Sequence, residues 1–227
     1  MKYGAEFAQA GKEDTADISN ILAPALAHLL GDVAGKDVLD LGCGSGRFSR
    51  QFAREGARVV GVDKHAGQLS RAISEEKIDH LNIDYRLRAA GDFQLEANRY
   101  DIALLMFVIL DIPSAAEVIN IIAAAAAAIK TGGVLVIGDL HPHNLGRRND
   151  FEDCQLSDGK TYFDNAAIFR SAARTNSGDI VIFDPNFHYR LDFILNTIAE
   201  QGLQFRQMIE PEYIADFPTH ILVCAAK

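Results

Sequence analysis

Residues 38–49 read VLDLGCGSGRFS, with one acid, Asp40, standing just before glycines at 42, 44 and 46. Glycines in such a turn let the backbone reverse sharply and let a ligand approach the main chain without meeting a Cβ. A helix that opens straight after the turn adds a positive end. The dinucleotide fingerprint G-x-G-x-x-G would place its third glycine at position 47, which is Arg47 here. The spacing is G-x-G-x-G, and Asp40 would crowd a bound pyrophosphate, so the acid suits a cationic ligand instead. A second acid, Asp63, ends VVGVD. Placed there, a carboxylate can accept from both hydroxyls of a ribose, which serves NAD and other adenosine cofactors alike. Three histidines are candidate bases: His141 and His143 in DLHPHNLGRR, and His188 in FHYR. Structural hydrogen bonding is the alternative role for each. Two histidines two apart could begin a metal site, but no third ligand accompanies them, so no metal is expected.

These residues need elements to hold them. Strand-like and helix-like segments alternate, which argues for an α/β fold with a mostly parallel sheet. Ile18, Ile21, Leu22, Leu26, Leu29 and Leu30 share one helical face. Strands are expected at 36–41, 58–63, 82–88, 100–108 and in VLVIGDL, with helices at about 46–55, 66–76 and through EVINIIAAAAAAIK, which Thr131-Gly132-Gly133 should stop. After a helix at about 191–201, LQFRQMI and THILVCAA read as a hairpin, making the last strand antiparallel. Roughly 45 residues before that helix break the rhythm. Within them, IFRSAARTNSGDIVIF reads as two strands joined at Asn176–Asp179. The expected organisation is one domain over 1–227, with an amino-terminal lid or helix over 1–30 and a substrate-side lobe over 140–190.

Composition narrows the partners. The chain has 227 residues, 48% hydrophobic and 23% charged, with a formal net charge of −9. Such an acidic chain repels a phosphate backbone, so nucleic acid is not expected as a partner. No apolar run approaches the ~20 residues that span a bilayer, so no membrane partner is expected. The opening MKYGAEFAQAGKEDTAD lacks the apolar core of a signal peptide, and Cys43, Cys154 and Cys224 fit neither a disulfide framework nor a metal site. The expected location is cytoplasmic. Nothing in the sequence sets an oligomeric state.

With these residues in view, VLDLGCGSGRFS resembles motif I of the class I S-adenosylmethionine-dependent methyltransferases, and VVGVDKH resembles the acidic loop that follows it. YDIALLMFVILDIP and IKTGGVLVIGD resemble the strand-four and strand-five motifs of the same family. The similarity runs on through Tyr162-Phe163 and FHYRLDFILNTIAEQGLQFRQMIEPE, a pattern similar to a small-molecule branch. The resemblance implies a Rossmann-like methyltransferase sheet of seven mostly parallel strands, the last antiparallel, with helices on both faces. It implies S-adenosyl-L-methionine as cofactor and a small organic molecule as acceptor. Asp40 would meet the cationic amino end of the cofactor's methionine, with Gly42 and Gly44 giving room. Asp63 would take the ribose hydroxyls and Lys64 would border the adenine. Met106 would offer its backbone carbonyl to the methionine amine, and Phe107 would line the cavity. Where the family often carries an acid for the adenine amine, this chain has Ala89, with Asp92 three residues later. Segments like the one bearing Tyr3 and Phe7 often close over the cofactor in the family.

Methyl transfer from a sulfonium is an in-line displacement in which positive charge disappears, so positioning in a dry site carries most of the acceleration. A phenol, alcohol or ammonium acceptor also needs a base, whereas a carboxylate needs none. The leading expectation is methylation of an oxygen or nitrogen on a small molecule. An NAD-dependent oxidoreductase is the rival enzyme class, opposed by Asp40 and Arg47. A non-catalytic S-adenosylmethionine-binding regulatory subunit is the second alternative, because the reaction needs no obligatory catalytic side chain.

Overall fold

Leu22, Leu26 and Leu30 recur at helical spacing and are all buried, on a helix α1 (Ile18–Leu30) that bears Pro24 in its interior. Residues 18–88, 95–142, 155–156, 159–174, 180–214, 217–218 and 220–227 are described in the computed structural model. Beyond α1, the elements follow the expected alternation: β1 (Asp37–Leu41), α2 (Arg47–Arg54), β2 (Arg58–Asp63), α3 (Ala66–Asp79), β3 (Asp84–Leu87), β4 (Tyr100–Met106), a single 3₁₀ turn (Ile109–Asp111), α4 (Ala115–Ala128) and β5 (Ile129–Leu140). Then come β6 (Gln155–Leu156), β7 (Ala167–Arg174), β8 (Ile180–His188), α5 (Leu191–Glu200), β9 (Gln204–Ile209), β10 (Glu212–Ile214), β11 (Phe217–Pro218) and β12 (His220–Ala226).

Seven strands form the main sheet in the order β3-β2-β1-β4-β5-β12-β9. The pairs β1·β2, β1·β4, β2·β3 and β4·β5 are parallel. β12 runs antiparallel to both β5 and β9, as the late hairpin pattern requires. The order reverses at β1, so its carboxyl end opens a crevice beside β4, the usual place for a ligand in such sheets.

Side-chain alternation along the strands builds two cores. Leu39, Leu41, Ala103, Leu105, Leu135 and Ile137 pack with Val118, Ile122 and Ala125 of α4 and with Ile194 and Ile198 of α5. Val38, Ile102, Leu104 and Val136 pack on the opposite face with Leu22 and Leu26 of α1 and with Phe48 and Phe52 of α2. Helices thus cover both faces. Each such fully buried aliphatic side chain contributes about 1.5–3 kcal/mol.

One boundary differs from the sequence expectation. The helix ends at Ala128 and the strand begins at Ile129, before Thr131-Gly132-Gly133. Ile129 pairs with Tyr100 and Val134 with Ile102, so the intervening residues form a bulge. Gly132 takes φ +81 there and donates its N–H to the Lys227 carbonyl at 2.9 Å. The inserted β7 and β8 pair antiparallel, with β6 added to β7; their connecting residues 175–179 lie outside the described residues, as do residues 1–17.

Candidate functional site

Two glycines of the turn have different physical reasons to be glycine. Gly42 has φ +82, and a Cβ on it would stand 2.4 Å from Val108 Cγ2. Gly44 has φ +54, yet a Cβ on it would meet nothing within 4 Å. Packing and conformation both demand the first. The second faces open space, the arrangement expected where a ligand approaches the backbone. The turn is tied to β2 by the N–H groups of Gly42 and Cys43, which donate to the Val62 carbonyl at 2.7 and 3.1 Å.

Asp63 closes the other side. Its Oδ2 accepts from the Gly44 N–H at 2.7 Å and its Oδ1 from the His65 N–H at 2.7 Å. A carboxylate has about four acceptor positions, so both oxygens keep capacity for a diol. The cleft beside it is lined by Leu41, Gly42, Asp63, Lys64, Phe107 and Asp111, among others. Phe107 leaves β4 with φ +58, a conformation unusual for a non-glycine residue. Its N–H donates to the Gly138 carbonyl at 2.7 Å, and its ring lies over Phe48 and edge-on to His220. Met106 itself is buried.

Asp40 lies beneath the turn. It is 1% exposed, on the same strand face as Val38, and accepts from Ser49 Oγ at 2.5 Å. Alternation places the side chain on the face covered by α2, where Ser49 holds it. Burial raises its pKa to about 6, offset by the Ser49 hydrogen bond and reinforced by nearby Asp63. Its negative potential still acts from beneath the turn.

A second cavity lies on the other side of the 3₁₀ turn. Ile137, Ile221 and Val223 floor it, and Phe169, Phe187 and Leu191 wall it. Its lining also holds Asp139, His141, His188 and Tyr189. His188 is 4% exposed and its Nε2 lies 2.9 Å from the Tyr162 carbonyl, which can only accept, so that nitrogen carries the proton. Burial lowers its pKa, and the bond anchors the turn at Tyr162. His141 Nε2 lies 2.7 Å from Glu210 Oε1. Tyr189 Oη donates to the Ile112 carbonyl at 2.7 Å. Tyr162 and Phe163, part of the segment whose pattern is similar to a small-molecule branch, are surface residues at 39% and 72% exposure.

Sequence reasoning passed over Asp139, Asp111, Ser49 and Glu210. Asp139 accepts from the backbone N–H groups of Leu140 at 2.7 Å and Leu110 at 3.2 Å, and burial pushes its pKa up to about 7. Asp111, also desolvated, is raised to about 6 despite Lys64. An acid closing an apolar strand was the available signal for Asp139, the same signal that marked Asp63. Glu210 carried none, because its partner is 69 residues away. Ala89, Asp92, His143, Arg147 and Arg148 lie outside the described residues. Among the described residues, no group of three His, Cys, Asp or Glu gathers as a metal site, and no helix is long and apolar enough to cross a membrane.

Residues 38–133 match the family model described as "Methyltransferase domain". A ubiquinone biosynthesis O-methyltransferase from Nitrobacter winogradskyi is 36% identical over 115 residues, covering 51% of this chain and 42% of that protein. The chain thus spans less than half the length of that curated relative. Among solved structures, an S-adenosylmethionine-dependent methyltransferase from Mesorhizobium loti aligns over 91% of this chain and 98% of its own, with TM-score 0.68 and 21% identity. A protein from Listeria monocytogenes described as a methyltransferase of that same cofactor dependence covers 92% of this chain and 99% of its own, with TM-score 0.67 and 23% identity. Likeness at such identities concerns the fold.

Proposed function

From the match of residues 38–133 to the methyltransferase-domain model, we infer that the chain is an S-adenosyl-L-methionine-dependent methyltransferase acting on an oxygen of a small molecule. One observation carries this reading: a glycine turn with open space before Gly44, closed by an aspartate whose carboxylate retains acceptor capacity. The residues fit the cofactor. Asp63 would hold the ribose diol, Gly42 and Gly44 would admit the methionine portion, and Lys64 would border the adenine. Phe107 would cover the cleft, and Asp40 would favour the cationic end from below. The cofactor supplies a methyl group on a sulfonium.

The protein's own contribution is positioning and exclusion of water. Residues 107–112 separate the cleft from the apolar cavity and line both. An acceptor seated in the cavity would therefore approach the cleft from the side of the 3₁₀ turn. The cavity walls favour an aromatic or aliphatic body. Relatives named as O-methyltransferases support oxygen over nitrogen. A neutral aromatic hydroxyl is the acceptor class these features suit. The 140–190 lobe would set its shape, and histidines 141, 143 and 188 are the proposed polar groups around it.

Thermal shift with S-adenosylmethionine, S-adenosylhomocysteine and NAD tests the reading. A ligand at 100 times its Kd adds about 2.7 kcal/mol of stability. Stabilisation by both sulfur compounds, and not by NAD, is the expected result. A response to NAD alone would refute it, and binding without turnover on any hydroxyl acceptor would favour the regulatory-subunit alternative.

A further inference from the structure

We propose that Asp111, on the 3₁₀ turn after β4, accepts a hydrogen bond from the exocyclic amine of the cofactor's adenine and so selects that base. The proposal rests on the methyltransferase reading above and gives a role to an acid which that reading leaves unused.

The backbone around Asp111 is pinned, but its side chain is not. The Asp111 N–H donates to the Val108 carbonyl at 3.1 Å and the Ile112 N–H to the Ile109 carbonyl at 3.1 Å. Asp139 accepts from the Leu110 N–H at 3.2 Å, and Tyr189 Oη donates to the Ile112 carbonyl at 2.7 Å. Three residues per turn send successive 3₁₀ side chains in different directions. Ile109 and Leu110 thus line the apolar cavity while Asp111 lines the cleft. Among the described residues, the Asp111 carboxylate has no hydrogen-bond partner. Withdrawing a carboxylate from water without a partner is costly, and desolvation accordingly raises its pKa to about 6. A ligand N–H would offset that cost.

Position in the cleft points to the base. The methionine portion would enter by Gly42 and Gly44 after β1, and the ribose would meet Asp63 at the end of β2. The charged groups acting on Asp111 are Lys64 and Asp63, which both stand where β2 ends. Asp111 therefore belongs to the ribose and base end of the cleft, not to the methionine end. The part left for the base is lined by Lys64 and Arg88, and by Ile112, Asn120 and Ile121. Apolar walls that carry a few polar groups suit a flat heteroaromatic ring.

An ionised carboxylate only accepts. Adenine presents a donor at the ring edge, its exocyclic amine. Hypoxanthine carries a carbonyl oxygen at the same position, which would set two acceptors against each other. Other acids of the cleft are differently placed. Asp63 already accepts from the Gly44 and His65 N–H groups, and Glu117 is exposed on α4. Asp111 is the described acid of the cleft that combines desolvation with unused acceptor positions.

Isothermal titration calorimetry of the full chain with S-adenosylhomocysteine and S-inosylhomocysteine, which differ at that ring position, tests the assignment. Wild type should bind the adenine compound about 10–100-fold more tightly, the worth of one hydrogen bond to a charged group. Asp111→Asn supplies an amide that can donate as well as accept, so the preference should vanish, chiefly through tighter binding of S-inosylhomocysteine. Asp111→Ala removes the acceptor and should lose the preference by weakening the adenine compound alone. A merely structural defect would weaken both compounds together and leave their ratio unchanged, which would overturn the proposal. Asp92→Asn is the control, since Asp92 is the other acid that the sequence offers for this amine, and it should keep the wild-type ratio. Loss of the preference in Asp92→Asn with its retention in both Asp111 variants would overturn the proposal, as would a wild type that binds the two compounds equally. Failure of wild type to bind either compound would instead sink the function from which it starts.

Discussion

Replacing Gly44 with alanine separates the demands of folding from those of the ligand. The residue has φ +54, and its new Cβ would meet no protein atom within 4 Å. The folding penalty is therefore conformational alone, about 1–2 kcal/mol for an L-residue in the left-handed region. For a domain this size each kcal/mol moves the midpoint by about 2–4 °C, so Tm should fall by roughly 2–8 °C. Gly132 supplies the control: it has φ +81, also with nothing within 4 Å of a Cβ, but lies in the β5 bulge beside Lys227. Gly132→Ala should lower Tm by a similar amount. The two variants should part company when S-adenosylhomocysteine is added at about 100 times the wild-type Kd. Wild type and Gly132→Ala should then gain roughly 5–11 °C, the equivalent of about 2.7 kcal/mol. Gly44→Ala should gain little, because its methyl occupies the space the ligand needs. Differential scanning fluorimetry reads both quantities at once. A full ligand shift in Gly44→Ala would show that nothing approaches the backbone there, and the argument from the glycine turn would fail.

Other perturbations follow from the same geometry. Gly42→Ala should destabilise far more than Gly44→Ala, since Val108 Cγ2 stands 2.4 Å from the new Cβ; Val108→Ala should restore part of the loss, measured by chemical denaturation. Asp63→Asn can accept only one of the two N–H groups that the carboxylate holds, so calorimetry should show cofactor Kd rising about 10–100-fold, the loss of about 1.5–3 kcal/mol expected for a charged acceptor. Asp139 is raised from 3.8 to about 7, so the folded state holds a proton that the unfolded state has lost. Its contribution is full below pH 3.8 and disappears as pH rises to about 7. Asp40 and Asp111, raised to about 6, act in the same direction, while His220, lowered to about 4, opposes them as pH falls below 6.5. Denaturation midpoints should show wild type gaining stability from about pH 7 to about pH 5, with Asp139 supplying about 2 kcal/mol at 1.36 kcal/mol per unit. In Asp139→Asn that share of the gain should vanish, and an unchanged pH slope would contradict the assigned burial.

How much of this was legible beforehand depended on the range of the interaction involved. Strand and helix alternation, the reversed last strand and the inserted β7·β8 pair are written in local periodicity, which hydrophobic patterning transmits over a few residues. The glycine turn and Asp63 were legible because backbone conformation and a strand-end acid are local properties. Only the tertiary structure decided the rest. Asp40 is an acid before a glycine turn in either description, but its burial and its hydrogen bond from Ser49 come only from the packing of α2 against β1. Tyr162 and Phe163 are large and apolar, yet a turn pinned by His188 leaves them at the surface. Asp139 and Asp111 became unusual acids only when the sheet and 3₁₀ turn desolvated them. The His141–Glu210 contact exists because a reversed strand brings β5 and β9 to either side of β12. A sequence determines which residues can turn, pair and ionise; which of them meet, and in how much water, is settled by the packing of distant segments.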